Sequence, residues 1–198
     1  GSRCKIDGRN AARIPHLHMQ KREVSGLPRA QGIKWRNFDA VLTLEDVRCQ
    51  KKNQLRFHTK PSPEHLVLRF EDIDDDEHEY AIATEADVES IIDFGRKHVQ
   101  SNMLIHCFHG IGRSGAAALA ILTDKIGNAD SALKEVLAIR PESVPNLRVA
   151  RLADKVLKTD SAIIKALESW TARTPSVAEF RQQKRAFFEA NRDLYAKK

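Results

Sequence analysis

Leu104–Gly115 reads LIHCFHGIGRSG: an apolar run that ends in a cysteine, then three glycines, an arginine and a serine within eight residues. Met103–Cys107 has the length and composition of a short buried strand. Gly112 to about Ile126, GRSGAAALAILTDKI, is helix-forming and stops at Gly127-Asn128, where a C-cap belongs. A strand ending in a cysteine and a helix starting a few residues later enclose a loop whose peptide N–H groups can turn inward as an anion-binding nest at a positive helix end. Cysteine attacks as its thiolate, and helix N-termini and nearby cations favour that form. Gly110, Gly112 and Gly115 permit the positive φ and close backbone approach that side chains would obstruct. Arg113, six residues after Cys107, offers a guanidinium fork for two oxygens of a tetrahedral anion, and Ser114 a hydroxyl to steady the thiolate or ease its departure. Such a pocket fits phosphate.

Outward from this loop the pattern is that of a layered α/β domain: a central, mostly parallel sheet flanked by helices, with a helix-rich C-terminal half. Up to about Arg36 the chain is polar, basic and punctuated by Pro15, Gly26, Pro28 and Gly32, and reads as loop with one short strand. FDAVLTL (Phe38–Leu44) and EHLVLRF (Glu64–Phe70) read as strands, and EDIDDDEHE after the second as an acidic loop. Thr84 with Asp87 forms a capping-box pattern ahead of Val88, Ile91, Ile92 and Val99 at helical spacing. Further helices are expected over Ala129–Ile139, Leu147–Lys158 and Asp160 to about Trp170, the last capped by Asp160. Ser176 and Glu179 signal a capping box for a final helix, with Val177, Phe180, Phe187 and Leu194 on roughly one face. The expected organisation is a basic, loop-rich segment over 1–36, its Gly1-Ser2 start reading as a cloning scar, a catalytic domain over 37–158, and a helical extension over 159–198 that packs on the domain.

The 198 residues suffice for one domain with a substantial core, and 41% hydrophobic and 30% charged residues sit near globular averages, suggesting neither a disordered chain nor a membrane protein. No apolar run approaches the roughly 18–20 residues of a spanning helix. Cys4, Cys49 and Cys107 are too few and too scattered for a disulfide framework, and without a CxxC pair no zinc site is expected, so a reducing, cytoplasmic setting fits best. Net charge is +6, unevenly spread: residues 1–60 carry 14 Lys/Arg against 5 Asp/Glu, 61–110 carry 3 against 12, and 111–198 carry 16 against 10. This balance suits nucleic acid, an anionic membrane or a phosphorylated partner without choosing among them.

HCFHGIGRSG (His106–Gly115) resembles the HCxxGxxR(S/T) signature loop of the cysteine-dependent protein tyrosine phosphatase superfamily, and GIGRSG matches the form common in its large tyrosine-specific members. At ordinary residue frequencies such a match arises by chance about once per million chains of this size. IRPESVPN (Ile139–Asn146) is similar to the segment that in this superfamily follows the loop and helps hold it. The resemblance runs from about Asp39 to Leu157; the last forty or so residues match nothing comparable. It implies a phosphocysteine mechanism with Cys107 as nucleophile, Arg113 and the loop Phe108, His109, Gly110, Ile111 and Gly112 binding phosphate or sulfate, Ser114 assisting, and His106 and Asn146 in support. No cofactor or metal is implied.

In the same superfamily an aspartic acid on a separate loop protonates the leaving oxygen, a contribution of about 10²–10⁴ in rate. VLRFED places Asp72 at that point, with Asp74, Asp75 and Asp76 as rivals, Asp74 the nearest. There is no WPD tripeptide and no KNRY-like loop, so the chain resembles the small dual-specificity and compact bacterial members with a shallow pocket. The substrate class this implies is a phosphorylated protein, carrying phosphotyrosine and also phosphoserine or phosphothreonine. The CxHG order at His109 is also met in RNA 5′-triphosphatases, but their loop ends GFNRTG; phosphoinositide-specific members place lysines where this chain has Phe108, His109 and Ile111. A weakly active phosphoprotein-binding module is the reading from outside enzymology. Cys49 is noted as a thiol that could pair with an oxidised Cys107.

Overall fold

The computed structural model describes residues 22–26, 30–31, 37–77 and 79–197. Arg22–Gly26 (β1), Ala40–Glu45 (β2), Glu64–Arg69 (β3) and Met103–Cys107 (β4) form one sheet in the order β1-β4-β2-β3, every neighbouring pair parallel. The inner strands β2 and β4 are buried along their whole length, as expected of near-continuous apolar runs in a parallel sheet covered on both faces. Register sorts their side chains. Val24, Leu42 and Ile105 align in one row facing the main core, whereas Val41 and Leu104 align on the opposite face with Phe38, beneath Leu55 and Phe57.

The helices are Glu85–Lys97 (α1), Arg113–Ile126 (α2), Ala129–Ile139 (α3), Leu147–Leu157 (α4), Ala162–Ala172 (α5), Pro175–Ala190 (α6) and Arg192–Tyr195 (α7). α2 follows the opening loop and is buried from Arg113 to Thr123; its alanines 116, 117, 118 and 120 let it lie close against the sheet, with α1, α3 and α4 packed around it. Ile163, Ala166 and Leu167 of α5 enter the same core, while α6 buries Val177 alone. The C-terminal ends of β2 and β4 therefore converge beside the N-terminus of α2, the place where ligands bind in open parallel sheets.

Most boundaries fall within two residues of those expected, and the Thr84–Asp87 capping box forms with both reciprocal bonds. Two caps differ. α6 begins at Pro175 with Thr174 as N-cap and no side-chain cap, because proline presets the first turn and places Ser176 inside the helix. α5 begins at Ala162, and Asp160, at φ +50°, does not cap it. Asp154 of α4 does so instead, its two carboxylate oxygens accepting the N–H groups of Ile163 and Ile164 at 2.8 and 2.9 Å. The short strand expected before Arg36 is β1; the remainder of that segment, with Gly1-Ser2 and Cys4, lies outside the described residues.

Candidate active site

Cys107 ends β4, buried, with its Sγ accepting the Gly110 N–H at 3.2 Å and 3.3 Å from Ser114 Oγ. The loop is laid directly on the end of β1. Gly110 adopts φ +71°, and a Cβ there would fall 2.3 Å from Gly26 N, so neither the backbone conformation nor the space admits another residue. From the other side the segment 143–146 braces the loop: Val144 N and Ser143 Oγ donate to the Ile111 carbonyl at 3.0 and 3.1 Å, and Asn146 N donates to the Gly112 carbonyl at 3.2 Å. Those carbonyls are thereby engaged outside the loop rather than free to repel an anion within it.

Arg113, at the first turn of α2, is 3% exposed. Its Nη1 donates to the Phe70 carbonyl and its Nη2 pairs with Asp46 Oδ1, both at 2.7 Å, while Nε finds no partner among the described residues. Burial works against the charge, but the electrostatic pull of Cys107, Asp46 and Asp72 outweighs it and holds the guanidinium more firmly protonated than in water. A buried cation with an unused donor beside a thiol is an arrangement that an oxyanion completes.

Asp72 lies over this loop, so close that a Cβ on Gly112 would stand 2.2 Å from its Oδ2. Asn146 Nδ2 donates to Asp72 Oδ1 at 2.8 Å and to the Ile73 carbonyl at 3.0 Å, while its Oδ1 accepts the Val149 N–H as the N-cap of α4. One side chain thus joins the candidate acid, the acidic loop and the brace. Lys184 of α6 also reaches Asp72 Oδ1, at 3.2 Å. Burial alone would raise the Asp72 carboxyl, yet the charges of Lys184 and Arg113 and the bonds from Asn146 and Lys184 bring it below the ordinary carboxylate range. The rival Asp74 is occupied otherwise: Oδ1 accepts the Leu147 N–H at 2.8 Å at the head of α4 and lies 3.0 Å from Lys184 Nζ, and Oδ2 lies 3.5 Å from Arg181 Nη1. Asp75 pairs with Arg185, and Asp76 with Arg148.

His106 is buried behind Cys107. Thr43 Oγ1 lies 2.8 Å from its Nε2 and 2.7 Å from His65 Nε2, so one hydroxyl donates to one ring and accepts from the other. Burial pushes both imidazoles down to about 4, which keeps them neutral beneath the loop. Phe108 and His109 stand outward, ring centroids 4.9 Å apart and edge to face.

A cleft of about 370 Å³ opens over Cys107 and Arg113, and its far wall is supplied by α6 and α7: Phe180, Gln183, Lys184, Phe187, Phe188 and Tyr195. The short chain implies a shallow pocket, and the C-terminal helices add this wall to it. Phe187, Phe188 and Tyr195 hold one another at centroid distances of 5.1–5.8 Å. The tail behind them is docked by Arg48, which donates to the Leu194 and Ala196 carbonyls at 2.6 and 2.8 Å. Cys49 and Cys107 are free thiols lining one narrow crevice, and burial with the Glu45 and Asp46 charges pushes the Cys49 thiol up. Among the described residues no group of three His, Cys, Asp or Glu side chains is gathered as metal ligands would be, and no helix is long and apolar enough to cross a membrane.

Residue-type reasoning missed Asp46, Lys184 and the aromatic wall. The available signal was the acidic middle of the chain set against a basic C-terminal third, with Arg181, Lys184 and Arg185 at helical spacing. That signal says a basic face and an acidic loop attract, not which lysine meets which aspartate.

No protein-family model and no curated protein matches the chain. Among solved structures, the human tyrosine phosphatase-like serine/threonine/tyrosine-interacting protein is similar over 67% of this chain and 83% of its own, at 18% identity and TM-score 0.51. The Yvh1 phosphatase domain from Chaetomium thermophilum is similar over 73% and 94%, at 19% identity and TM-score 0.50. Human DUSP28 is similar over 77% and 95%, at 18% identity and TM-score 0.50. The chain has the fold of the tyrosine and dual-specificity phosphatases.

Proposed function

We propose that the protein is a cysteine-dependent phosphomonoesterase of the tyrosine phosphatase superfamily, hydrolysing phosphotyrosine in protein substrates, with phosphoserine and phosphothreonine as poorer ones. The observation that carries this reading is the buried Arg113, with its Nε unpartnered, lining one cleft with Cys107, whose Sγ already accepts a loop N–H. Phosphate supplies the missing acceptor and the electrophile together.

In the first step Cys107 Sγ attacks phosphorus while the ester P–O bond breaks. The electron pair leaves with the ester oxygen, which takes a proton from Asp72, and Arg113 and the loop N–H groups stabilise the charge on the non-bridging oxygens. In the second step water, deprotonated by Asp72, attacks the phosphocysteine; the S–P bond breaks and Ser114, 3.3 Å from Sγ, eases release of the thiolate. Asn146 holds the Asp72 carboxyl over the loop throughout. The aromatic wall favours phosphotyrosine over a lipid headgroup or an RNA end, because Phe108, Phe180, Phe187, Phe188 and Tyr195 all line the cleft that a phenyl ring would enter.

A panel of phosphotyrosine and phosphothreonine peptides, phosphoinositides and 5′-triphosphate RNA tests the substrate. The expected order puts phosphotyrosine peptide first, with Asp72→Asn slowing phenyl phosphate by about 10² and p-nitrophenyl phosphate less. Preferential release of phosphate from triphosphate RNA, or the Asp72 pattern appearing in Asp74→Asn instead, contradicts the assignment.

A further inference from the structure

Lys184 is 11% exposed, and its Nζ bridges Asp72 Oδ1 at 3.2 Å and Asp74 Oδ1 at 3.0 Å. The two partners differ in duty, since Asp74 is committed to the head of α4 whereas Asp72 stands over the catalytic loop. The two oxygens of Asp72 differ as well. Oδ1 accepts from Asn146 and from Lys184, both donors, so no proton resides there while they stay; Oδ2 is the oxygen against Gly112 and the one free to carry a proton to a substrate.

We propose that Lys184, through its bridge between Asp72 and Asp74, is a positioning residue that sets the leaving-group range of this site: it aims Asp72 Oδ2 at the loop but competes with the proton that a poor leaving group needs. The inference rests on the phosphatase reading above and names what that reading leaves open, the class of ester preferred and the residue responsible. When Asp72 enters the first step ionised, the ester oxygen departs with its electron pair and no proton. A phenolate tolerates this departure; a serine or threonine alkoxide does not. Helix α6 therefore selects aryl esters by proton supply, independently of the fit of the ring.

The charged and titratable groups facing Asp72 come from every side of the cleft: Asp46 just after β2, Cys107 at the end of β4, His109 on the loop, Arg113 at the start of α2, Asp74 on its own loop, Arg181 and Lys184 on α6, and Tyr195 on α7. Of these, Lys184 is the cation that touches Asp72 directly without also belonging to the phosphate-binding loop. Its removal isolates the effect.

The test is kcat/KM for a series from p-nitrophenyl to phenyl phosphate, measured from about pH 5 to about pH 8 on the wild type, Lys184→Met and Lys184→Arg. In Lys184→Met the descending basic limb for phenyl phosphate should move to higher pH, and the p-nitrophenyl-to-phenyl preference at neutral pH should shrink by about tenfold, the equivalent of one pKa unit. Lys184→Arg, which retains a cation, should keep the wild-type profile. An unmoved limb in Lys184→Met, or a preference that widens, overturns the inference. Should Lys184→Met not fold, Lys184→Gln, which keeps a hydrogen-bond donor without the charge, takes its place: the same upward move of the limb supports the proposal, and an unmoved limb overturns it. Absence of Cys107-dependent turnover of p-nitrophenyl phosphate removes the phosphatase reading and this inference with it, whereas Cys107-dependent turnover with an unshifted profile removes this inference alone.

Discussion

The loop from Cys107 to Ser114 and helix α6 face each other across one cleft, and they are held by different means, the loop by close backbone packing and α6 by side-chain ion pairs. The loop's own contacts are short in sequence: Gly110 donates to a residue three positions back, and Ser114 lies seven from Cys107. α6 is held from afar, with Lys184 and Asp72 separated by 112 positions, Arg181 and Asp74 by 107, and Arg185 and Asp75 by 110. The loop is locked by close packing on β1 and the 143–146 brace, whereas α6 buries one residue and relies on ion pairs and aromatic edges. One half of the site is thus rigid by construction and the other is attached by interactions that salt and substitution weaken.

The comparison breaks most sharply at Arg113. Arg113→Lys keeps a charge but loses the planar fork shared among the Phe70 carbonyl, Asp46 and the anion, and should lower kcat/KM for p-nitrophenyl phosphate by about 10²–10³. A loss under tenfold would place the phosphate elsewhere. On the facing side Phe187→Ala, a change to a half-exposed ring, should weaken a phosphotyrosine peptide by about three- to tenfold, chiefly in KM, as removal of one aromatic contact does. Equal loss on p-nitrophenyl phosphate and peptide in kcat alone would show that α6 does not serve recognition.

The smallest effect concerns the foundation of the loop. His106 is held near 4 in the folded chain against about 6.5 when exposed, so the unfolded state binds the extra proton first as pH falls. No penalty exists above about 6.5; it grows below that value and is complete near 4. The thermal midpoint should therefore decline across this window, and more steeply in the wild type than in His106→Asn. Parallel curves would contradict the burial argument for His106.

What could be read ahead of the structure follows the same division. Cys107, Arg113, Ser114 and the glycines were legible because the geometry they need is set by residue type at short spacing. The strands and most helices were legible from periodicity, as Val88, Ile91 and Ile92 show. The cap of α5 was not, because Asp154 reaches it from the preceding helix while the nearer Asp160 takes a positive φ. The partner of Asp72 was not, because several basic residues on α6 satisfy the same acidic loop on charge alone and only packing selects Lys184. Nor was the wall of the cleft, since an apolar stripe on a terminal helix looks the same whether it faces a core or a substrate.

The central claim is that Cys107 carries the phosphoryl group. Rapid acid quenching of the protein during turnover of a phosphotyrosine peptide, followed by mass spectrometry of its proteolytic fragments, tests it directly. The fragment containing Cys107 should gain one phosphoryl group in the wild type, and Cys107→Ser should neither turn over substrate nor show the adduct. Sustained turnover by Cys107→Ser, or a phosphoryl group trapped on any other residue, would contradict the account.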